Sequence, residues 1–352
     1  MLSLIFQQRV YSQVASPVDT THPKVLTEQE QQAARRANDL ERQYDVGDLI
    51  NDVLRPNKKP KPLNKRSGIT VVPNIAANPT IGFQIGIKAV AGKVLGKDPT
   101  TYMSVAATSA SITTKGIVYF YISHNVFTPG NKWNLQGSLV AAKTVTPDFG
   151  LGIGRAAGES HENYILSNPT RKGYIWHAQY YKFFEKVYRE VKPHLYLGAG
   201  LQFDIRRKIS NSKYDTVLTP YRIYNQRYGF DDDHYLANGF LFDVQYITRD
   251  NPNRAYKGMY FNVGVRANQT WIGSTKNALQ LTVDFRKYLS LSARNPEHVI
   301  AFWTWGSGVV SGEVPFLELP GTTRDPSFRS GRGYVGGYFK STQFAYAETE
   351  YR

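Results

Sequence analysis

The chain has 352 residues, a net charge of +15 at pH 7, no cysteine, and an aromatic content of 13% that includes 24 tyrosines and 18 phenylalanines. Its mean hydropathy is −0.42, and no stretch approaches the ~18–20 apolar residues of a transmembrane helix. These values exclude a helical membrane protein. They do not exclude a transmembrane β-barrel, because each of its strands gives half of its residues to a polar lumen.

The positive charge gives only weak information about partners, and the absence of cysteine gives only weak information about location. The charge fits solvated loops and a polar lumen, or attraction to anionic lipid or nucleic acid. No nucleic-acid recognition motif accompanies the charge, so we expect no nucleic-acid partner. The absence of cysteine fits a periplasmic or outer-membrane location, but many cytosolic proteins share it.

The N-terminal 66 residues are predicted to form a tail rather than a domain. Residues 1–16 have a short apolar run without a basic start, and they are either a partial signal peptide or an ordinary tail. Residues 17–66 are predicted to hold a helix followed by a basic linker. The helix begins at the capping-box pair Thr27 and Glu30 and ends near Tyr44. The linker, rich in proline and lysine, has little with which to build a core.

Residues 67–352 are predicted to form a single all-β domain. Twelve segments have the composition or the period-two alternation of strands, and many exceed the ~5–6 residues usual for a soluble sheet. They lie at about 69–77, 81–93, 100–114, 117–127, 133–145, 172–187, 193–208, 236–248, 256–269, 276–289, 298–310 and 337–351. Such strands are long enough to cross a bilayer at a tilt.

Alternation divides these strands into an apolar face and a polar face. In the best-defined strands, every second residue is apolar, mostly Leu, Val or Phe, and the residues between them are polar or glycine. We therefore expect a lipid-facing surface that includes Leu197, Leu201, Phe261, Val263, Leu281 and Val283. Tyrosine and tryptophan near strand ends are typical of an aromatic girdle, although strand propensity alone also favours them.

The connections between the predicted strands alternate between short and long. Short turns are expected at 77–80, 115–116, 190–193 and 251–254, and long loops at 147–171, 209–234 and 311–336. Outer-membrane barrels have short turns on one side and long loops on the other.

The last connection, from Pro315 onward, is rich in Gly and Pro yet carries several large apolar residues. A loop of this length is usually either functional or disordered, and its apolar content favours a loop that folds against the sheet. Arg332 lies between Gly331 and Gly333, and a buried guanidinium there would need a carboxylate partner. Glu348 and Glu350 lie on the strand that follows.

Two motifs resemble the BamA/TamA family of outer-membrane assembly barrels, also called the bacterial surface antigen family. The first is Arg332-Gly333-Tyr334, preceded by Leu-Pro-Gly and followed by Glu-Tyr-Arg at the C-terminal end. The second is Arg249-Asp250-Asn251, which resembles the family's Asp-x-Arg-Asp-Asn turn except that Ile247 stands at the first Asp. The resemblance covers roughly residues 68–352.

The resemblance implies an antiparallel transmembrane barrel in the bacterial outer membrane, with about twelve of the family's sixteen strands present. It implies that the loop enters the lumen and that Arg332 pairs with Glu350, or with Glu348 as the second choice. It also implies periplasmic repeats, for which the first 66 residues show no pattern, and a terminal seam strand that the sequence does not contain. We therefore expect a chain truncated at its C-terminal end that is a fragment, or closes with fewer strands, or is completed by another chain.

No motif for catalysis, metal binding or cofactor binding emerges from the sequence. The seven histidines are scattered, and none has the i, i+4 spacing of a helical zinc site. The segment Gly158-Glu159-Ser160-His161 lacks the second glycine of a nucleophile elbow. We expect no enzyme activity, no cofactor, no metal and no small-molecule substrate.

Two functions therefore stay open. The first is an outer-membrane protein that inserts or translocates other outer-membrane proteins. Its partners would then be these client proteins and the lipids of the outer membrane. The second is a passive or structural barrel without client activity. A soluble β-protein is a third class, and partition without detergent would distinguish it.

Overall fold

The computed structural model describes residues 67–78, 82–97, 101–152, 173–211, 218–250, 254–292 and 298–352. The predicted signal segment 1–16 and the predicted helix and linker of 17–66 lie outside these residues. No helix within the described ranges is long and apolar enough to cross a membrane.

The described residues form a single antiparallel sheet of thirteen strands. Neighbours in sequence are neighbours in the sheet, except that β1 and the short β2 both pair with β3. The strands are β1 (Ser67–Pro73), β2 (Ala76–Asn78), β3 (Gly82–Val94), β4 (Met103–Thr113), β5 (Val118–Phe127), β6 (Trp133–Asp148), β7 (Tyr174–Lys192), β8 (Leu195–Ser210), β9 (Tyr235–Ile247), β10 (Gly258–Asn268), β11 (Ala278–Ser290), β12 (Val299–Gly312) and β13 (Gln343–Tyr351). The predicted all-β antiparallel class is therefore confirmed.

One α-helix, α1 (Pro220–Tyr228), lies in the β8–β9 connection, where the sequence predicted only a long loop. Local chemistry explains it. Thr219 accepts a hydrogen bond from the backbone of Arg222, Pro220 takes the first helical position, and Gly229 ends the helix in a left-handed conformation. Three short 3-10 helices span Pro129–Asn131, Thr270–Ile272 and Phe316–Glu318.

The predicted strand limits differ from the structure by up to six residues. The strand predicted at 172–187 continues to Lys192, so most of the turn predicted at 190–193 belongs to β7. Two other segments differ for identifiable reasons. The segment 69–77 is divided into β1 and β2, because Pro73 has no N–H to continue the ladder. The segment 337–351 is a strand only from Gln343, because the residues before it are drawn into contacts with distant parts of the chain.

The sheet has a polar inner face and an apolar outer face, as the alternation predicted. The six residues expected to face lipid all lie on the outer side, where Leu197, Leu201, Phe261 and Leu281 are exposed. Their in-strand neighbours on the inner side are buried although polar, including Asn262 and Asp284. This polarity is the reverse of that of a soluble sheet, which buries its apolar face.

The sheet curls until its two halves touch. The Tyr102 hydroxyl, before β4, donates a 3.3 Å hydrogen bond to the carbonyl of Arg249, after β9. Strands this far apart in the sheet order meet only if the sheet is strongly curved. Closure into a complete barrel is not observed, because within the described ranges β1 pairs only with β3 and β13 only with β12.

Three long connections lie at one end of the sheet, which we call the long-loop end. Antiparallel order places the ends of β6, β8 and β12 there, and the β7–β8 and β9–β10 connections at the opposite, short-turn end. The predicted separation of short and long connections is not strict, because the short turn at Lys115–Gly116 shares the long-loop end.

Candidate functional site

The connection between β12 and β13 folds onto the inner face of the sheet at the long-loop end. Phe316, Leu317 and Leu319 are completely or almost completely buried, and Val314 accepts a hydrogen bond at its carbonyl from the Tyr224 hydroxyl of α1. These residues form one apolar cluster with α1 and with side chains of β7, β8, β9 and β11, including Trp176. The two loops therefore share a core inside the curled sheet.

A buried ion pair attaches this loop to the strands. Arg206 of β8 donates through Nε to Glu318 at 2.8 Å, and the Tyr235 hydroxyl of β9 donates to the same carboxylate oxygen at 2.8 Å. The Arg206 guanidinium also lies 4.2 Å from the centre of the Tyr180 ring. The ion pair and the two hydrogen bonds fix the position of Glu318 on the inner face of the sheet, and the Tyr180 ring holds the Arg206 guanidinium in place.

A second buried ion pair holds the other limb of the loop. Lys340 Nζ lies 2.9 Å from Asp148, the last residue of β6, and 3.6 Å from the centre of the Phe316 ring. Burial lowers the pKa of Lys340 to about 8, although the Asp148 carboxylate acts in the opposite direction. The loop is thus clamped at both limbs, by Glu318 and by Lys340.

The tip of the loop is closed by Asp325. Its carboxylate accepts hydrogen bonds from the backbone N–H groups of Ser327, Arg329 and Ser330, at 2.8–3.0 Å. Burial by itself raises the pKa of Asp325, but hydrogen bonds from Ser330, Ser327 and Arg329 lower it below its usual value. This turn presents the next residues, including Arg332, toward β13.

Arg332 meets both of the acids that the sequence offered as partners. Its guanidinium is 3.2 Å from Glu348 and 3.7 Å from Glu350, so the second choice is the nearer contact. Glu350 is shared with Arg352 at 3.2 Å, and Glu348 accepts from the Tyr346 hydroxyl at 2.7 Å. The Arg332 side chain is 48% exposed, so this pair is not the buried one that the sequence considered.

The glycines around Arg332 have a backbone role. Gly331 and Gly333 have φ values of +72° and +89°, a region that residues with a Cβ rarely adopt. A Cβ at Gly331 would also lie 2.6 Å from a Thr322 methyl, whereas Gly333 faces open space. A close approach to another part of the loop therefore occurs at Gly331 and not at Gly333. Tyr334 packs against Tyr338 and Phe339 and remains half-exposed.

The second motif lies at the short-turn end. Asp250 accepts hydrogen bonds from the backbone of Tyr256 at 3.0 Å and of Lys257 at 3.4 Å, which closes the β9–β10 connection. Arg249 lies over the Tyr260 ring at 4.6 Å, on the inner side of the sheet. Asn251 lies outside the described residues. The loop of the first motif reaches the same region of the inner face, because Arg286, whose guanidinium lies 3.5 Å from the Ser327 hydroxyl of the loop, also lies over the Tyr260 ring at 5.6 Å.

Ion pairs continue along the inner face below the loop. Arg266 is 2.8 Å from Asp204, Lys186 is 2.7 Å from Asp243, and Arg286 is 2.7 Å from Asp284. Pairing is what allows charges to be buried here, because a lone buried charge is strongly destabilising. The sequence indicated a polar face but not these partners. The first two pairs each join two strands, whereas Arg286 and Asp284 both lie on β11.

The structural anchors of the loop were missed by sequence reasoning. Arg206, Glu318, Asp148 and Lys340 are far apart in sequence, and nothing local marks them as partners. The partner acids could be predicted because both lie on the strand that follows the loop, and the family resemblance pointed to Glu350. Across the described residues, no group of three or more His, Asp or Glu side chains converges as a metal site would require. The absence of catalysis remains a prediction.

Comparisons with known proteins give a likeness at the level of the fold. No family model matches the chain, and no curated protein matches it either. Among solved structures, the chain is similar to BamA from Haemophilus ducreyi lacking POTRA domains 1–3, at 17% identity and a TM-score of 0.44. The likeness covers 77% of this chain and 46% of that one, so the chain spans less than half the length of that structure. Similarity at this level does not decide the activity.

Proposed function

We propose that the chain is an outer-membrane β-sheet protein that crosses the bilayer with its strands. One observation carries the proposal: apolar residues line the exposed outer face, and paired charges line the inner face. Water would favour the opposite arrangement. A hydrocarbon environment around the sheet and a polar interior favour the observed arrangement, with apolar side chains outside and paired charges inside. Lipid is then the first partner.

The function that fits the motifs best is insertion or translocation of other outer-membrane proteins. Support comes from the resemblance carried by Arg332-Gly333-Tyr334 and from the way this loop is held on the inner wall beside β13. Strands β1 and β13 each leave one edge unpaired within the described residues. An unpaired backbone group in lipid costs several kcal/mol, so these edges require a partner strand. A client strand is one such partner.

The second candidate is a passive or structural sheet without client activity. It is favoured by the apolar core at the long-loop end, which is fixed by two buried ion pairs and leaves that end filled. A packed long-loop end of this kind would suit a protein with only a structural role.

Localisation is tested first. The full chain, expressed with a functional secretion signal, is expected to fractionate with outer membranes and to resist extraction by carbonate and by high salt. Recovery in the soluble periplasm would refute the membrane proposal in both of its forms.

Client activity is tested with the purified full chain in liposomes. An unfolded eight-stranded outer-membrane barrel is added, and its folding is followed by the gel shift between heated and unheated samples. Acceleration over liposomes that contain an unrelated barrel supports insertion activity. Equal rates support the passive candidate. The Arg332→Ala variant is the matched test of the loop, and Arg329→Ala, which removes a charge from the same loop, is its control.

A further inference from the structure

A small cavity with a cationic wall lies on the outer surface at the short-turn end. Its volume is about 370 Å³, and it is formed where β6 and β7 meet the β7–β8 turn. Lys132, Trp133, Arg189, Glu190, Val191 and Lys192 form most of its lining. The cavity opens on the outer face, whereas Arg332 and Arg249 make their contacts on the inner face.

The register of the strands fixes the height of this cavity on the sheet. Trp133 and Arg189 are direct partners across β6 and β7, and both project outward. Further along the same face toward the middle of the sheet, Leu139 and Phe183 are both exposed, with the His124–Glu185 pair between them and the cavity. In the other direction the strands end. The cavity therefore marks the boundary between the apolar band and the polar end.

The charge in the cavity is not neutralised by the protein. Lys132, Arg189 and Lys192 are exposed, and no carboxylate of the described ranges forms an ion pair with any of them. The single acid, Glu190, accepts a hydrogen bond from the His194 backbone at 3.0 Å. Three cations thus converge on the space with one carboxylate beside them.

The aromatic wall orients one of these cations. The Arg189 guanidinium lies 5.3 Å from the centre of the Trp133 ring, and Trp133 is 41% exposed. A tryptophan with one wet side is typical of the membrane–water boundary. A guanidinium held beside it keeps donors free for a planar or tetrahedral anion, with which arginine forms paired hydrogen bonds.

We propose that this cavity binds the phosphodiester headgroup of an anionic glycerophospholipid, in the leaflet at the short-turn end. The proposal rests on the proposed membrane location. The three cations meet the phosphate, Trp133 lies at the glycerol level, and the acyl chains cover the apolar surface around Leu139 and Phe183. The height decides for a headgroup, because phosphates lie at the boundary and not within the hydrocarbon. Glycerophospholipid is favoured over other phosphorylated lipids because short turns of outer-membrane barrels face the periplasmic leaflet.

The experiment measures which lipid the full chain retains. The purified protein is offered equimolar phosphatidylglycerol and phosphatidylcholine with identical acyl chains, and bound lipid is counted by native mass spectrometry. We expect preferential retention of phosphatidylglycerol. The Arg189→Gln/Lys192→Gln variant is expected to lower that preference by on the order of fivefold for each cation removed.

The matched control carries the same charge change at the opposite boundary, on the two strands that flank β7. Lys143 and Arg207 are exposed and both align with Gln179 of β7, near the long-loop end. Lys143→Gln/Arg207→Gln is expected to keep the preference. No preference in the wild type, or an equal loss in both variants, would overturn the proposal. Full displacement of the lipid by millimolar inorganic phosphate would also overturn it, by showing a site for the free anion.

A separate readout distinguishes failure of this site from failure of the membrane location. Trp133 and Trp271 are exposed at opposite ends, and Trp271 packs against the outward Phe240. In liposomes with brominated acyl chains, the fluorescence of both tryptophans should be quenched. The contribution of each one is obtained by subtracting the fluorescence of the Trp133→Phe or the Trp271→Phe variant from that of the wild type. Absence of quenching refutes the membrane location and this site together. Quenching without lipid preference refutes this site alone.

Discussion

Lys340 Nζ lies 2.9 Å from Asp148 Oδ1, and both residues are almost completely buried. The contact joins the end of β6 to the loop before β13, which are 192 positions apart in the sequence. It is the longest-range polar clamp on the loop that carries Arg332. Its removal is therefore the most direct way to release that loop.

Removing one partner of this pair should be costly, and replacing both should not. We expect Lys340→Met to lower the free energy of unfolding by about 3–5 kcal/mol, because Asp148 is left as an unpaired buried charge. The double variant Lys340→Met/Asp148→Leu should recover most of the loss, since apolar replacements of a buried pair are often neutral. Urea unfolding in detergent measures both. Equal losses in the single and double variants would contradict the argument.

The same pair predicts a pH dependence. Burial lowers the pKa of Lys340 to about 8, from the usual 10.5. Between these values the unfolded chain holds a proton that the folded chain has lost, so stability rises with pH across this window. We expect wild type to gain stability from pH 8 to pH 10 relative to Lys340→Met. A difference that is flat or falls across that window would show that the lysine keeps its proton in the fold.

The two faces of the sheet should tolerate charge very differently. Val263 projects outward near the middle of β10, and Val263→Arg is expected to cost about 2–4 kcal/mol in a lipid folding assay. The control is Thr282→Arg on β11, which projects inward between the small residues Gly264 and Ser307. We expect the control to lose clearly less. Equal losses at both positions would refute the face assignment.

The exposure of Arg332 predicts a weak contribution from its ion pairs. A half-exposed pair is worth about 0–1 kcal/mol, whereas a buried one would be worth several times more. Double-mutant cycles of Arg332→Ala with Glu348→Ala and with Glu350→Ala should give the larger coupling for Glu348. Its oxygen is nearer, and Glu350 is shared with Arg352. The coupling should shrink in high salt. A coupling above 3 kcal/mol would mean that the loop is more deeply buried in the membrane.

A polar pair interrupts the apolar outer face. His124 of β5 and Glu185 of β7 lie 3.1 Å apart across Gly137 of β6, on the face that carries Leu139 and Phe183. A Cβ at Gly137 would collide with Glu185 Oε2 and His124 Nε2. We expect Gly137→Ala to open the pair, leave the carboxylate facing lipid, and destabilise the fold.

A double-mutant cycle isolates this effect. In a Glu185→Ala background the carboxylate that Gly137→Ala displaces is gone, so the alanine should cost much less there. Gly306→Ala on β12 is the control, because its Cβ would meet the Phe344 carbonyl at an ordinary 3.6 Å. If Gly137→Ala and Gly306→Ala behave alike, the pair has no energetic role.

The strands and their faces followed from the sequence because their signal is local. In β10 and β11, alternate residues point to opposite sides whatever the strand pairs with, so apolar and polar side chains sort themselves by position alone. The helix α1 also had a local signal, in Thr219-Pro220 at its start and Gly229 at its end, and it was missed because the long connection was taken as one loop. Segment 69–77 was divided at Pro73, which the sequence also displays.

Tertiary structure alone decided which side chains meet. The composition of the last loop predicted that it would fold against the sheet, but not that Glu318 would reach Arg206 or that Lys340 would reach Asp148. Those contacts depend on the curvature of the whole sheet, which also brings Tyr102 to Arg249. Arg332 shows the division clearly. The motif named its acidic partners, but the order of the two acids and the exposure of the pair depend on how the loop is clamped at positions far away in the chain.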